Sequence, residues 1–162
     1  MFCKINAAVA ILMLMMSAGC GNHPASDAVK AFRMALADSS WSLAWQMLTP
    51  ETQSAWDSTA VIFHRFGYTE SSEFLSALSV PVTQEEFALL DGEMLFTRMI
   101  ESAPEISGLS STVRGVELAD STTALVTLAT SGGAQIIPVK LIGNRWLIDL
   151  TTLTPPPETP EL

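Results

Sequence analysis

Cysteine is scarce in this chain: two among 162 residues, Cys3 and Cys20, with no Cys-x-x-Cys pair. A disulfide framework and a thiolate metal site are both poor explanations of how it folds. Histidine is equally scarce, at two, and there is a single tyrosine. There is no His-Glu-x-x-His, no glycine-rich phosphate loop and no Gly-x-Ser-x-Gly elbow. No metal or cofactor is expected from such a set. Basic side chains number 8 against 17 acidic ones, for a formal net charge of −9. That balance repels phosphate backbones and anionic head groups, and no basic stripe offsets it. Nucleic acid is therefore not expected as a partner. Charged residues make up only 15% of the chain and hydrophobic ones 48%. Such a composition can bury a core and does not read as disordered.

The first 22 residues differ from the rest. Lys4 supplies a short positive start, and Ala7 to Met16 is an unbroken apolar stretch. Its length suits the apolar core of an export signal, about 7–15 residues, and falls short of the roughly 20 needed to span a bilayer. Small residues follow, Ser17-Ala18-Gly19, directly before Cys20-Gly21-Asn22. This order resembles the lipobox of bacterial lipoproteins. Ala18 and Gly19 match its small residues, and Ser17 stands where leucine is usual. The resemblance implies a signal peptide over residues 1–19, cut between Gly19 and Cys20. It implies lipid on the Cys20 thiol and amine, so that the membrane is a partner through that lipid. Two or more acyl chains anchor stably, at about 0.8 kcal/mol per buried CH₂. Gly21 in place of aspartate implies, by resemblance to Gram-negative lipoproteins, the outer membrane facing the periplasm. Loss of Lys4 with the signal leaves seven basic against 17 acidic side chains, a charge of −10. Cys20 is then the only cysteine, and acylation leaves no free thiol.

After a tether over residues 20–25, one α+β domain is expected from 26 to 150. Ser26-Asp27 reads as a helix start, with Val29, Phe32 and Leu36 at helical spacing. Asp38-Ser39-Ser40 interrupts, and Trp41, Ala44, Trp45 and Leu48 form a second apolar face. Thr49-Pro50-Glu51 combines a cap, a first-position proline and an acid at the positive helix end. That helix carries Trp56, Ala60, Phe63 and Phe66, and Gly67 stops it. A short helix is expected over Ser71 to Leu78. Thr83-Gln84-Glu85-Glu86 fits a capping box and opens a helix reaching Ile100, with Gly92 as a weak point inside it.

Beyond the loop Ala103–Ser111 the apolar period changes from near four to two. Val116 and Leu118, then Ala124, Val126 and Leu128, then Ile137, Val139 and Leu141, then Trp146, Ile148 and Leu150 alternate with other residues. Asp120-Ser121, Ser131-Gly132-Gly133 and Gly143-Asn144 separate them as turns. The expectation is an antiparallel meander with one face under the helices, Pro138 marking an edge or bulge. Residues 151–162, with Pro155-Pro156-Pro157 and Pro160, read as a mobile tail.

Two segments are similar to the nuclear-transport-factor-2-like (ketosteroid-isomerase-like) superfamily. One is Ala28 to Phe32 followed by Trp41 to Leu48 and Thr49-Pro50-Glu51. The other is the hairpin Gly143-Asn144-Arg145-Trp146-Leu147-Ile148-Asp149. The resemblance implies a curled, cone-shaped sheet with a cavity. Some members are enzymes, and exported ones include binding and accessory domains. A fold alone does not choose between these.

Asp57, His64 and Tyr68 are spaced for one side of a helix. With Trp45 and Trp56, His64 and Tyr68 are the expected lining of any cavity. Asp57 with Tyr68 would serve a ketosteroid-isomerase type of enzyme. A helix rises about 10 Å over seven residues, too far for Asp57 to orient His64 directly. Glu85, Glu86, Asp91 and Glu93 are acidic neighbours better explained as first-turn residues than as a calcium site. The leading expectation is a lipid-anchored envelope protein without catalysis, binding an envelope protein or a small apolar ligand. A cavity enzyme and a structural envelope component are the alternatives.

Overall fold

The computed structural model describes residues 23–103, 112–130 and 133–151. The expected signal over residues 1–19, its expected cleavage site before Cys20, Cys20 itself and the expected tail from residue 152 lie outside them. Among the described residues six helices come first: α1 (Pro24–Ala37), α2 (Trp41–Gln46), α3 (Pro50–Phe66), α4 (Tyr68–Ala77), α5 (Gln84–Ala88) and α6 (Gly92–Glu101). Four strands follow, β1 (Thr112–Leu118), β2 (Thr123–Thr130), β3 (Gly133–Ile142) and β4 (Arg145–Ile148). They pair antiparallel in the order β1-β2-β3-β4. The fold is α+β, with the helices N-terminal and the meander C-terminal.

Local chemistry explains most boundaries. Proline opens α1 and α3, where its missing N–H costs nothing. Thr49 Oγ1 accepts from the Thr52 amide at 3.2 Å to cap α3. Thr83 and Glu86 make both bonds of the expected capping box on α5. The two-residue β3–β4 turn holds Gly143 at φ +63°, the sign that primed hairpin turns require. Pro138 lies in β3, between two strands. Its carbonyl accepts from Asp149 beyond the end of β4, so the missing N–H faces the side where β4 has run out and leaves the β2 ladder intact.

Several boundaries depart from expectation: α4, expected from Ser71, starts at Tyr68, directly after Gly67 ends α3. The first helix starts at Pro24, not Ser26, because the His23 ring caps it: Nδ1 accepts from the Ala25 amide at 3.1 Å. Ala25, expected in the tether, is fully buried. The helix expected from Thr83 to Ile100 is two helices. Leu89 ends α5, and Asp91 Oδ1 accepts from the Met94 amide at 2.8 Å to start α6.

The core has two parts. Val29, Phe32 and Leu36 of α1 meet Val126, Leu128, Val139 and Ile148 of the sheet, with Ala44, Leu48 and Phe96. The second part joins Ala60, Leu75, Val80, Phe87, Leu90 and Leu95 among the later helices. Full burial of each large apolar side chain stabilises by about 1.5–3 kcal/mol. Trp56 touches both parts, so the helical half and the sheet half share one side chain. Helix α1 packs on all four strands, and the later helices sit beside that layer. No described helix is long and apolar enough to cross a membrane.

Candidate functional site

The two segments that carry the superfamily resemblance meet in space. The chain between α2 and α3 runs beside β4: Ile148 N–H donates to Met47 O at 2.8 Å, and Thr49 N–H donates to Ile148 O at 2.9 Å. A buried polar chain grows from this contact. The Thr49 hydroxyl donates to Thr52 Oγ1 at 2.9 Å, and Thr52 Oγ1 accepts from the Leu150 amide at 3.0 Å. The Thr52 hydroxyl points at Asp149 Oδ1, 3.5 Å away. That oxygen also accepts from the Thr151 amide at 3.0 Å and the Thr151 hydroxyl at 2.5 Å. Asp149 is 1% exposed, and its Oδ2 lies 2.7 Å from Lys140 Nζ. The Lys140 charge is what compensates this second oxygen, which is buried and has no further hydrogen-bond partner. Burial pushes the Asp149 carboxyl up, but Lys140 and Thr151 outweigh it and hold the group below its ordinary range. The same contact raises the Lys140 amine. Spacing along the sequence could not reveal this network, since Thr52 and Asp149 lie 97 residues apart.

The expected cavity residues pack on two different phenylalanine rings, with Trp56 and Tyr68 both reaching the second core. Trp45 and Trp56 both pack on Phe96, at ring separations of 5.8 and 5.7 Å. His64 and Tyr68 pack instead on Phe87, at 5.0 and 5.6 Å. Tyr68 also leaves the helix of its supposed partners, because Gly67 ends α3 and Tyr68 opens α4. Each polar group is engaged by backbone. His64 Nε2–H donates to Leu90 O at 2.7 Å, Tyr68 O–H to Val82 O at 3.4 Å, and the Gly92 amide donates to Asp57 Oδ1 at 3.1 Å. These bonds tie α3 and α4 to the Val80–Gly92 segment. Asp57 and Tyr68 engage different backbone groups, those of Gly92 and Val82.

Comparison of the chain with protein-family models, with curated proteins and with solved structures finds no match.

The acidic neighbours of α5 and α6 are placed as first-turn chemistry requires. Glu86 caps Thr83 and pairs with Arg98, and the Thr83 amide is the main cause holding its carboxyl below the ordinary range. With Asp91, Glu93, Met94 and Glu101 these groups line an open cleft of about 470 Å³. Among the described residues no group of three or more carboxylates, histidines or cysteines is arranged to hold a metal.

Of the large apolar side chains exposed among the described residues, Val61, Ile62 and Phe66 lie on α3 and Phe74 and Leu78 at the end of α4, and the others are spread over the rest of the fold. Ile62 and Phe66 lie one turn apart on α3, at 48% and 65% exposure, and Phe74 and Leu78 one turn apart at the end of α4, at 56% and 44%. Phe63 of α3 packs tilted on Phe74 of α4, with ring centroids 5.9 Å apart, which brings the two helices' apolar side chains near one another. Single exposed apolar residues are ordinary, but joined rows of aromatics and aliphatics mark interaction surfaces.

Proposed function

We propose that the chain is a bacterial lipoprotein, cut before Cys20 and held by lipid on that cysteine. Its folded part is a non-catalytic binding domain of the cell envelope, at the outer membrane and facing the periplasm. The ordered signal, from Lys4 through the apolar stretch to Ser17-Ala18-Gly19-Cys20, supports the anchor. The resemblance to exported members of the nuclear-transport-factor-2-like superfamily agrees with the contact between its two segments at Thr49 and Ile148.

The observation that carries the binding role is the apolar face of Ile62, Phe66, Phe74 and Leu78. The partner it suits is an envelope protein offering an apolar, aromatic-accepting surface. A photoreactive phenylalanine analogue at Phe66 or Phe74, in cells, is expected to give discrete protein adducts that the same analogue at exposed Ser58 does not. Adduct yields no higher than at Ser58 would reject the face. The double variant Phe66→Ser, Phe74→Ser should keep its stability within about 1 kcal/mol, since both rings are mostly in water. Loss of function in that variant would then report binding rather than unfolding.

A further inference from the structure

We propose that the end of the sheet bearing the β1–β2 and β3–β4 turns rests against the head groups of the bilayer that anchors the chain. The proposal rests on the lipid-anchor reading of Cys20. The ring of His23, the first described residue, meets Trp146 edge-on at 5.6 Å. Trp146 is the second residue of β4, one residue beyond the Gly143-Asn144 turn. His23 lies three residue steps from Cys20, with Gly21 and Asn22 between them, and a chain reaches at most about 3.6 Å per step. An acylated Cys20 is therefore held within roughly 11 Å of His23. The domain has no room to turn its far side to the membrane.

The side chains at this end suit that contact. The Leu141 amide donates to Thr122 O at 2.6 Å, which gathers the two turns into one edge. Leu118, the last residue of β1, is 56% exposed, and Ile142, the last of β3, is 37% exposed. Leu141 and Trp146 are half-buried beside them. Tryptophan with its apolar body and single N–H is the side chain most suited to a head-group interface. The charged groups on the edge are Glu117, Asp120 and Arg145, and the Asp120 carboxylate is occupied by the Thr122 amide and hydroxyl. One net negative charge favours a zwitterionic surface over an anionic one. Toward the opposite end, among the described residues, Ile136 of β3 is 51% exposed, so the end bearing the β1–β2 and β3–β4 turns is distinguished by its place beside His23 and Trp146.

The scarcity of cysteine makes the test direct. Once Cys20 is acylated, a cysteine introduced at Leu118, Ile142 or, as control, exposed Ala134 is the sole thiol for an environment-sensitive fluorophore. The full chain is produced in a lipoprotein-processing host and reconstituted in phosphatidylcholine vesicles containing nitroxide-labelled acyl chains. Fluorophores at 118 and 142 are expected to be quenched at least about twofold more than at 134, as for groups lying some 5–10 Å into the interface. Equal quenching at all three positions, in protein that carries acyl mass and floats with vesicles, would overturn the orientation and leave the anchor standing. Protein that is unacylated and fails to float would overturn both.

Discussion

Gly92→Ala is expected to lower the melting temperature by on the order of 10 °C, through a loss of about 3 kcal/mol or more. A Cβ at Gly92 would stand 2.3 Å from Asp57 Oδ1, 2.6 Å from Asp57 N and 2.9 Å from Asp57 Cα. The carboxylate could swing aside, but the other two atoms are backbone in the middle of α3. Relief requires α3 and α6 to separate. That movement would loosen Ala60 and Leu95, both almost fully buried in the second core. Overpacking costs about 1–3 kcal/mol where side chains can adjust, and more where backbone must move. Asp57→Ala is the control. It keeps the close approach and removes only the bond to the Gly92 amide, for about 1–2 kcal/mol. Thermal unfolding followed by circular dichroism should rank Gly92→Ala well below Asp57→Ala. A drop of about 2 °C or less in Gly92→Ala would mean that the helices do not meet as described.

Lys140→Met is expected to cost about 3 kcal/mol at neutral pH, because it leaves the Asp149 carboxylate buried without its cation. The figure is at the low end for a broken buried pair, since the Lys140 side chain is 38% exposed and solvent screens it. The loss should depend on pH. Asp149 is held below its ordinary value of 3.8 in the folded chain, so the unfolded chain binds its proton more readily. The pair's contribution is complete above that value and fades as pH falls below it through the folded value. Urea unfolding at pH 7 and at pH 3 should therefore show the gap between wild type and Lys140→Met narrowing at the lower pH. An unchanged gap would show that the carboxylate does not carry the effect.

The sheet was largely legible in the sequence, because alternation and turn residues both act locally. Ala124, Val126 and Leu128 announce their face, and Gly143-Asn144 announces its turn. The helices were less so. The apolar row Phe87, Leu90 and Met94 stays in phase across the break between α5 and α6, so periodicity alone joins two helices into one. Asp91-Gly92, a strong cap beside the residue that lets α3 approach, was the signal for the break. Pro24 was the signal for the start of α1, hidden because histidine is an uncommon cap. The candidate site was the least legible part. Asp57, His64 and Tyr68 have helical spacing, but Gly92 N–H, Leu90 O and Val82 O, which engage them, are backbone groups brought close only by tertiary packing. Backbone partners leave no trace in side-chain pattern. Lys140 and Asp149 likewise become partners only because the hairpin register aligns β3 and β4.

The anchor is tested most directly by intact mass and membrane fractionation of wild type and Cys20→Ala in a lipoprotein-processing host. Wild type is expected to lose residues 1–19, gain the mass of the lipid and pellet with membranes, while Cys20→Ala does none of these. A wild-type chain that is soluble and carries no acyl mass would contradict the account and return Cys20 as a free thiol.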